Sequence, residues 1–350
     1  VDERGTLNMK SIIKKRMQEN NLKCSNAKLT PVFPKNMLLE VTNICNHECV
    51  FCANAKSTRK RGLLDVNIGQ KLLKEAYDCG AREVGFYATG EPLVHPELET
   101  FIKCAKEIGY TYVYITTNGA LLDEKRGHAL IEAGIDSVKF SINASNKKDY
   151  AFVHGKDDFN KIVDNIKQFD ILRRNCSKKI KLFVSCILTD QTKNIKEEAR
   201  NVFSEYVDDI LFLDCGNQGG YMYEINETVA LGGKANFWGE SHFCPLIFNN
   251  LYISYEGYLT LCCTDFQNYL VVSDLKEESL KDAWHNEYAQ KLRKCHIENN
   301  LEGTLCYNCV YNCETEVAPL REQYGISFDY KEFNQKNCIE DRIQKWKERI

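Results

Sequence analysis

Three cysteines fall within one short run, Cys45-Asn46-His47-Glu48-Cys49-Val50-Phe51-Cys52. Three thiolates on one tight loop can hold three irons of a cubane cluster and leave the fourth iron without a protein ligand. An open iron is a place for chemistry, because a small molecule can chelate there. A cubane saturated by four cysteines is a relay. The competing reading is a zinc site of three cysteines completed by His47. That ring lies between two of the proposed ligands and would have to fold back over its own short span. Inert core thiols are the other reading, and a loop shared with Asn43, Asn46 and Glu48 makes a poor core. The spacing favours iron–sulfur.

A second set lies in the C-terminal third: Cys244, then Cys262 with seventeen residues between them, then the pair in Cys306-Tyr307-Asn308-Cys309. Four thiols from a hairpin and a knuckle can saturate either a second cluster or a structural Zn²⁺, and spacing alone favours zinc.

The chain has 350 residues and 17 cysteines. An odd total in so long a chain argues against a secreted disulfide framework and for a reducing, cytoplasmic setting where clustered cysteines bind metal. A formal net charge of −3 provides no global basic field for nucleic acid. The runs Lys14-Lys15-Arg16 and Arg59-Lys60-Arg61 read as solvated faces. No apolar run approaches the roughly 18 residues that span a bilayer, and Val1-Asp2-Glu3-Arg4-Gly5 does not open a signal peptide. Neither nucleic acid nor membrane is an expected partner.

The elements that must position these thiols alternate. Strand-like runs at 37–41, 84–88, 112–116, 137–142, 180–188 and 210–213 are rich in β-branched and aromatic residues. Between them helical spacing appears at 68–78, after Pro96 as a first helical residue, and at 124–133, 159–172 and 194–206. Strand–helix alternation of this kind implies parallel strands with right-handed crossovers, in a barrel or an open sheet. After about residue 235 the pattern changes. A hairpin flanks Glu256-Gly257, a helix covers 280–292, a loop dense in Cys, Asn and Tyr follows, and a charged helix covers 338–349. One further amphipathic helix is expected at 9–18.

The first thiol run, with an aromatic residue (Phe51) before its third cysteine, resembles the signature of radical S-adenosylmethionine (SAM) enzymes. Thr89-Gly90-Glu91-Pro92 at the next strand end is similar to that family's Gly-Gly-Glu-Pro motif, with Thr89 in place of the first glycine. Thr116-Thr117-Asn118-Gly119 and Ser141-Ile142-Asn143 close the following strands as family members do. The resemblance covers about residues 35–235 and implies an α/β fold, a partial (β/α)₆ TIM-like barrel. In the family these strand ends hold SAM, so Phe51, Thr89, Gly90, Glu91, Pro92, Asn118, Ser141 and Asn143 become expected SAM contacts.

Gly257-x4-Cys262, then Asp274-Leu275, Leu280, Trp284, Leu292-Arg293 and the Cys-x2-Cys pair look like the SPASM/twitch extension of that family. This implies a small C-terminal α+β domain with one auxiliary 4Fe–4S cluster on Cys244, Cys262, Cys306 and Cys309. Cys263, Cys313 and Cys338 are the nearest competitors. Cys24, Cys79, Cys104, Cys176, Cys186, Cys215 and Cys295 are expected to be structural thiols. The expected organisation is an N-terminal extension at 1–34, the barrel at 35–235, the auxiliary domain at 236–320 and a terminal helix at 321–350.

The resemblance further implies SAM and two 4Fe–4S clusters as cofactors, and an electron donor such as flavodoxin or ferredoxin. The expected reaction is hydrogen abstraction followed by oxidation through the auxiliary cluster. One-cluster extensions resemble those of aminocyclitol dehydrogenases of the 2-deoxy-scyllo-inosamine type, so a sugar or cyclitol substrate is expected. A peptide maturase is the alternative enzyme; its winged-helix recognition domain would not fit in the residues before the barrel. A non-catalytic electron carrier or zinc scaffold is the alternative of another class. Glu40, Tyr87, Asn143 and Cys186 are candidates to face the substrate from strand ends, and Glu40 can equally be a structural partner of a cluster-loop amide.

Overall fold

The computed structural model describes residues 27–223, 229–230 and 243–327. The helices expected at 9–18 and 338–349, with Cys24 and Cys338, lie outside the described residues. Six parallel strands alternating with helices form the body: β1 (Asn36–Leu39), α1 (Val66–Cys79), β2 (Glu83–Gly85), α2 (Leu98–Ile108), β3 (Tyr112–Thr117) and α3 (Glu124–Ala133) lead it. They are followed by β4 (Ser137–Ser141), α4 (Lys147–His154), α5 (Phe159–Asn175), β5 (Lys181–Leu188), α6 (Lys196–Phe203) and β6 (Asp209–Asp214). The strand order β6-β5-β4-β3-β2-β1 follows the chain. This is the partial (β/α)₆ barrel expected from sequence.

Local signals explain the boundaries. Asp65 caps α1 by accepting from the Asn67 and Ile68 amides, and Leu72, Leu73 and Ala76 bury one face against the sheet. β3 alternates half-buried and buried positions, so Val113, Ile115 and Thr117 face the helices. Pro96 does not start α2. The Glu97 amide donates to the His95 ring, Glu97 becomes the N-cap, and the helix begins at Leu98.

The C-terminal part comprises α7 (Leu246–Asn249), β7 (Asn250–Ile253), β8 (Tyr258–Thr260), β9 (Val271–Asp274), α8 (Leu280–His285), α9 (Glu287–Ile297) and α10 (Leu305–Tyr311). The expected hairpin is β7–β8, and it is not detached. β7 pairs in parallel with β1, so the barrel sheet runs on through β7, β8 and β9. The helix expected over 280–292 is two helices, because Asn286 leaves helical geometry and caps α9 on the Ala289 amide. Part of the expected Cys-rich loop is α10, started by the Thr304 hydroxyl on the Tyr307 amide. Among the described residues no helix is long and apolar enough to cross a membrane.

Candidate active site

The loop leaving β1 carries Cys45, Cys49 and Cys52, all half-buried. The Cys52 amide closes a turn on the Cys49 carbonyl at 3.0 Å. Helix α4, which sequence periodicity missed, braces this loop. The Val50 amide donates to Val153 O at 2.8 Å and the Glu48 amide to His154 O at 3.2 Å. His154 stacks on Tyr150 with centroids 4.1 Å apart. Its Nε2 lies 2.6 Å from Ile142 O and must donate there, since a carbonyl only accepts. Its Nδ1 is therefore the acceptor facing the Cys49 thiol at 3.3 Å. Burial pushes His154 down to about 3, so it stays neutral. His47 turns its Nε2 to Asp158, 3.1 Å away.

Burial, reinforced by Glu91, pushes the Cys45 thiol up to about 12. A thiol so placed ionises when a metal supplies the compensating positive charge. Three thiols on one braced loop beside a strand end suit a cubane.

That strand end is residues 89–91. A Cβ on Gly90 would stand 2.3 Å from Thr42 O and 2.8 Å from Ile44 O, so the position admits only glycine. The Glu91 amide donates to Ile44 O at 2.9 Å, laying the strand end along the thiol loop. The Glu91 carboxylate is fully buried. It accepts from the Thr117 hydroxyl at 2.6 Å, the Leu93 amide at 3.0 Å and the Asn118 amide at 2.7 Å. Burial raises Glu91 against those donors. Pro92 opens the short 3-10 turn that Glu91 caps. Asn118 Nδ2 reaches across to Asn46 Oδ1 on the thiol loop at 2.7 Å. Phe51 is buried in the core beneath the loop.

Thr89, the departure from the family glycine, gives its hydroxyl to Glu40 Oε1. Asn54, which carries no sequence signal, ties the two segments together by donating to Asn43 O at 2.9 Å and Thr89 O at 2.6 Å.

The residues expected to face substrate divide. Glu40 does not open onto the lumen, because it is buried against Arg59, Thr89 and the Tyr255 amide. Burial would raise its carboxyl, but the Arg59 guanidinium, the Thr89 hydroxyl and the Tyr255 amide together hold it below its ordinary value. Arg59, expected on a solvated face, is instead buried between Glu40 and Glu256. Asn143 adopts a left-handed φ of 59°, reaches back to Ser141 Oγ at 3.3 Å and accepts from the Ile187 amide at 2.9 Å, so it joins two strand ends. Cys186 is fully buried in the core, and burial pushes it up to about 12. Strand alternation turns it away from the lumen-facing Phe183. Tyr87 does line the lumen.

The lumen is a cavity of about 610 Å³. Its barrel wall includes Tyr87, Tyr112, Tyr114, Lys139 and Phe183, and Cys244, Cys262, Cys263, Cys306 and Cys309 line it too. Cys306 and Cys309 share one face of α10 by their spacing. A Cβ on Gly220 would stand 2.8 Å from the Cys309 amide nitrogen, so the turn after β6 seats this helix. Asn217 Nδ2 donates to Cys309 O at 2.9 Å. Burial raises the Cys244 and Cys306 thiols, and the neighbouring thiols raise them further. Cys263 lies on the cavity wall beside the four expected ligands, whereas Cys313 turns to Asn308. Among the described residues no three Cys, His, Asp or Glu side chains close on the spacing of a single-ion site. Ligands of a cubane bind separate irons and stand farther apart.

Residues 39–183 match the Radical SAM superfamily, and residues 244–310 match SPASM, an iron–sulfur cluster-binding domain. The chain is 33% identical over 131 residues to a probable GTP 3',8-cyclase of Methanothermobacter thermautotrophicus, covering 37% of this chain and 42% of that one. It therefore spans less than half the length of that cyclase. It is 26% identical over 275 residues to the S-adenosyl-L-methionine-dependent 2-deoxy-scyllo-inosamine dehydrogenase of Niallia circulans, covering 77% of this chain and 90% of that one. Two solved structures share the fold. BtrN in complex with AdoMet and 2-DOIA matches with a TM-score of 0.53 and 21% identity, over 83% of this chain and 96% of that one. Streptococcus suis SuiB bound to precursor peptide SuiA matches with a TM-score of 0.63 and 16% identity, over 88% and 77%.

Proposed function

We propose that this chain, which carries a radical SAM domain and an iron–sulfur cluster-binding SPASM domain, dehydrogenates a small polar molecule of the amino sugar or cyclitol kind. Cys45, Cys49 and Cys52 would hold the SAM-binding 4Fe–4S cluster, and Cys244, Cys262, Cys306 and Cys309 the auxiliary one. When bound, these groups would supply a 5′-deoxyadenosyl radical to take a hydrogen atom from the substrate carbon and an oxidant to take the electron left behind as the hydroxyl proton is released. An outside reductant such as flavodoxin or ferredoxin primes the first cluster.

The observation that carries this reading is the shared cavity. Residues of the barrel lumen and the thiols of the C-terminal domain line the same space of about 610 Å³. A substrate held there lies beside its electron acceptor, which favours net oxidation over return of the hydrogen atom. The chain's own residues have three tasks. The rings of Tyr87, Tyr112, Tyr114 and Phe183 exclude water from the reacting carbon. Asn36, Ser137 and Asn250 form a polar floor, with Tyr112 donating to Ser137 Oγ at 2.7 Å and Asn36 donating to Asn250 Oδ1 at 2.9 Å. Glu91, Asn118 and the backbone around Gly90 orient SAM against the thiol loop.

The test is anaerobic reduction of fully reconstituted protein with SAM, alone and with a panel of aminocyclitols and amino sugars. The expected result is 5′-deoxyadenosine, rising with the true substrate in step with a ketone product. No 5′-deoxyadenosine from protein carrying about eight irons per chain would overturn the reading. Turnover of peptides alone would leave the radical chemistry and overturn the small-molecule assignment.

A further inference from the structure

Between the two thiol-bearing loops lies a buried charge cluster that the chemistry above does not use. The Arg59 side chain is 2% exposed. Its Nη2 lies 2.6 Å from Glu40 Oε2 and 2.5 Å from Glu256 Oε2, and its Nε lies 3.0 Å from Glu256 Oε1. Glu40 in turn holds the Thr89 hydroxyl and accepts from the Tyr255 amide at 3.1 Å. Glu256 sits on the turn between β7 and β8, and β8 runs directly toward Cys262.

Neighbouring bonds reinforce the junction. Gln267, fully buried, accepts from the Thr58 amide at 3.0 Å and donates to Thr58 Oγ1 at 2.7 Å. Ser57 Oγ donates to Phe266 O at 2.6 Å. A stretch of chain just after Cys52 is thereby stitched to both flanks of Cys262-Cys263. A pocket of about 20 Å³ lined by Glu40, Arg59, Thr89, Cys262, Cys263 and Asp265 marks where the loops meet.

We propose that Arg59 is a positioning residue for SAM: by sharing its guanidinium between Glu40 and Glu256, it makes SAM affinity depend on the C-terminal hairpin. The inference rests on the reading that residues 89–91 hold SAM. The guanidinium fork binds the Glu256 carboxylate through two nitrogens while one of them also serves Glu40. A lysine carries the charge and cannot reproduce that fork. Weakening the Glu256 side lets Arg59 relax, Glu40 follows it, and the Thr89 hydroxyl loses its anchor. The strand end that Gly90 presses against the thiol loop then shifts, so a change on the hairpin is felt at the SAM site.

The experiment titrates SAM into the full-length, reconstituted, reduced protein and follows the first cluster's EPR signal. Glu256→Gln is expected to raise the half-saturating SAM concentration about ten-fold, with both clusters still loaded. Arg59→Lys should do the same, and the double variant should be no worse than the weaker single variant, because both changes break one connection. Should Arg59→Lys fail to fold, Glu256→Gln alone decides. Unchanged half-saturation in Glu256→Gln, or loss of its auxiliary iron instead, overturns the inference. A wild-type signal that ignores SAM overturns the functional reading itself, and the inference with it.

Discussion

Thr89 shows how a departure from a motif can be informative. The sequence marks the missing glycine, and the structure gives its hydroxyl to Glu40. The partner was not legible, because it depends on the β1–β2 register rather than on spacing along the chain. Restoring the family residue with Thr89→Gly should therefore cost about 1 kcal/mol of stability rather than add any, measured by thermal unfolding. Gly90→Ala meets backbone oxygens on two sides, so it should cost about 1–3 kcal/mol and weaken the SAM response of the first cluster. Glu40 yields a pH prediction. Burial would raise its carboxyl, but Arg59, Thr89 and the Tyr255 amide together hold it below its ordinary 4.5. The stability it contributes is complete above that value and disappears as pH falls through the lower folded value. Glu40→Gln should lower the melting temperature of the cluster-free protein near neutral pH and flatten its decline below about pH 4.5. An unchanged acid slope would contradict the assignment.

At the scale of elements, the six barrel strands were legible as runs of β-branched and aromatic residues, and most of their helices because each buries one face with a regular period. Some short ones were not. α4 has only eight residues, yet it carries Tyr150 and His154 onto the thiol loop. β9 has four, and it forms because β8 offers an edge to pair with. α10 hides in a run of Cys, Asn and Tyr that reads as loop until Thr304 is recognised as its cap. That cap matters for the auxiliary site, since α10 presents both Cys306 and Cys309. Thr304→Ala should loosen the helix by about 1 kcal/mol and speed loss of auxiliary iron to a chelator, leaving the first cluster's iron unaffected. Equal loss from both sites would contradict this.

Across the whole molecule, strands from both sides of the expected boundary near residue 235 join one continuous sheet, because β7 pairs with β1. Alternation along the chain cannot reveal a strand that joins from more than two hundred residues away, and the register of Asn36 with Asn250 had no sequence signature. Both thiol sets were legible, because cysteine spacing is a local property. The cavity that the C-terminal thiols share with the barrel lumen was not, because it exists only once the sheet has brought them together. The central claim is that three thiols leave an open iron where SAM docks. The most direct measurement uses the Cys306→Ala, Cys309→Ala variant, reduced, with SAM whose carboxylate carries a magnetic oxygen isotope. The account predicts a first-cluster EPR signal that shifts on SAM addition and broadens with the label. A signal that neither shifts nor broadens, in protein whose first cluster is fully loaded, would contradict it.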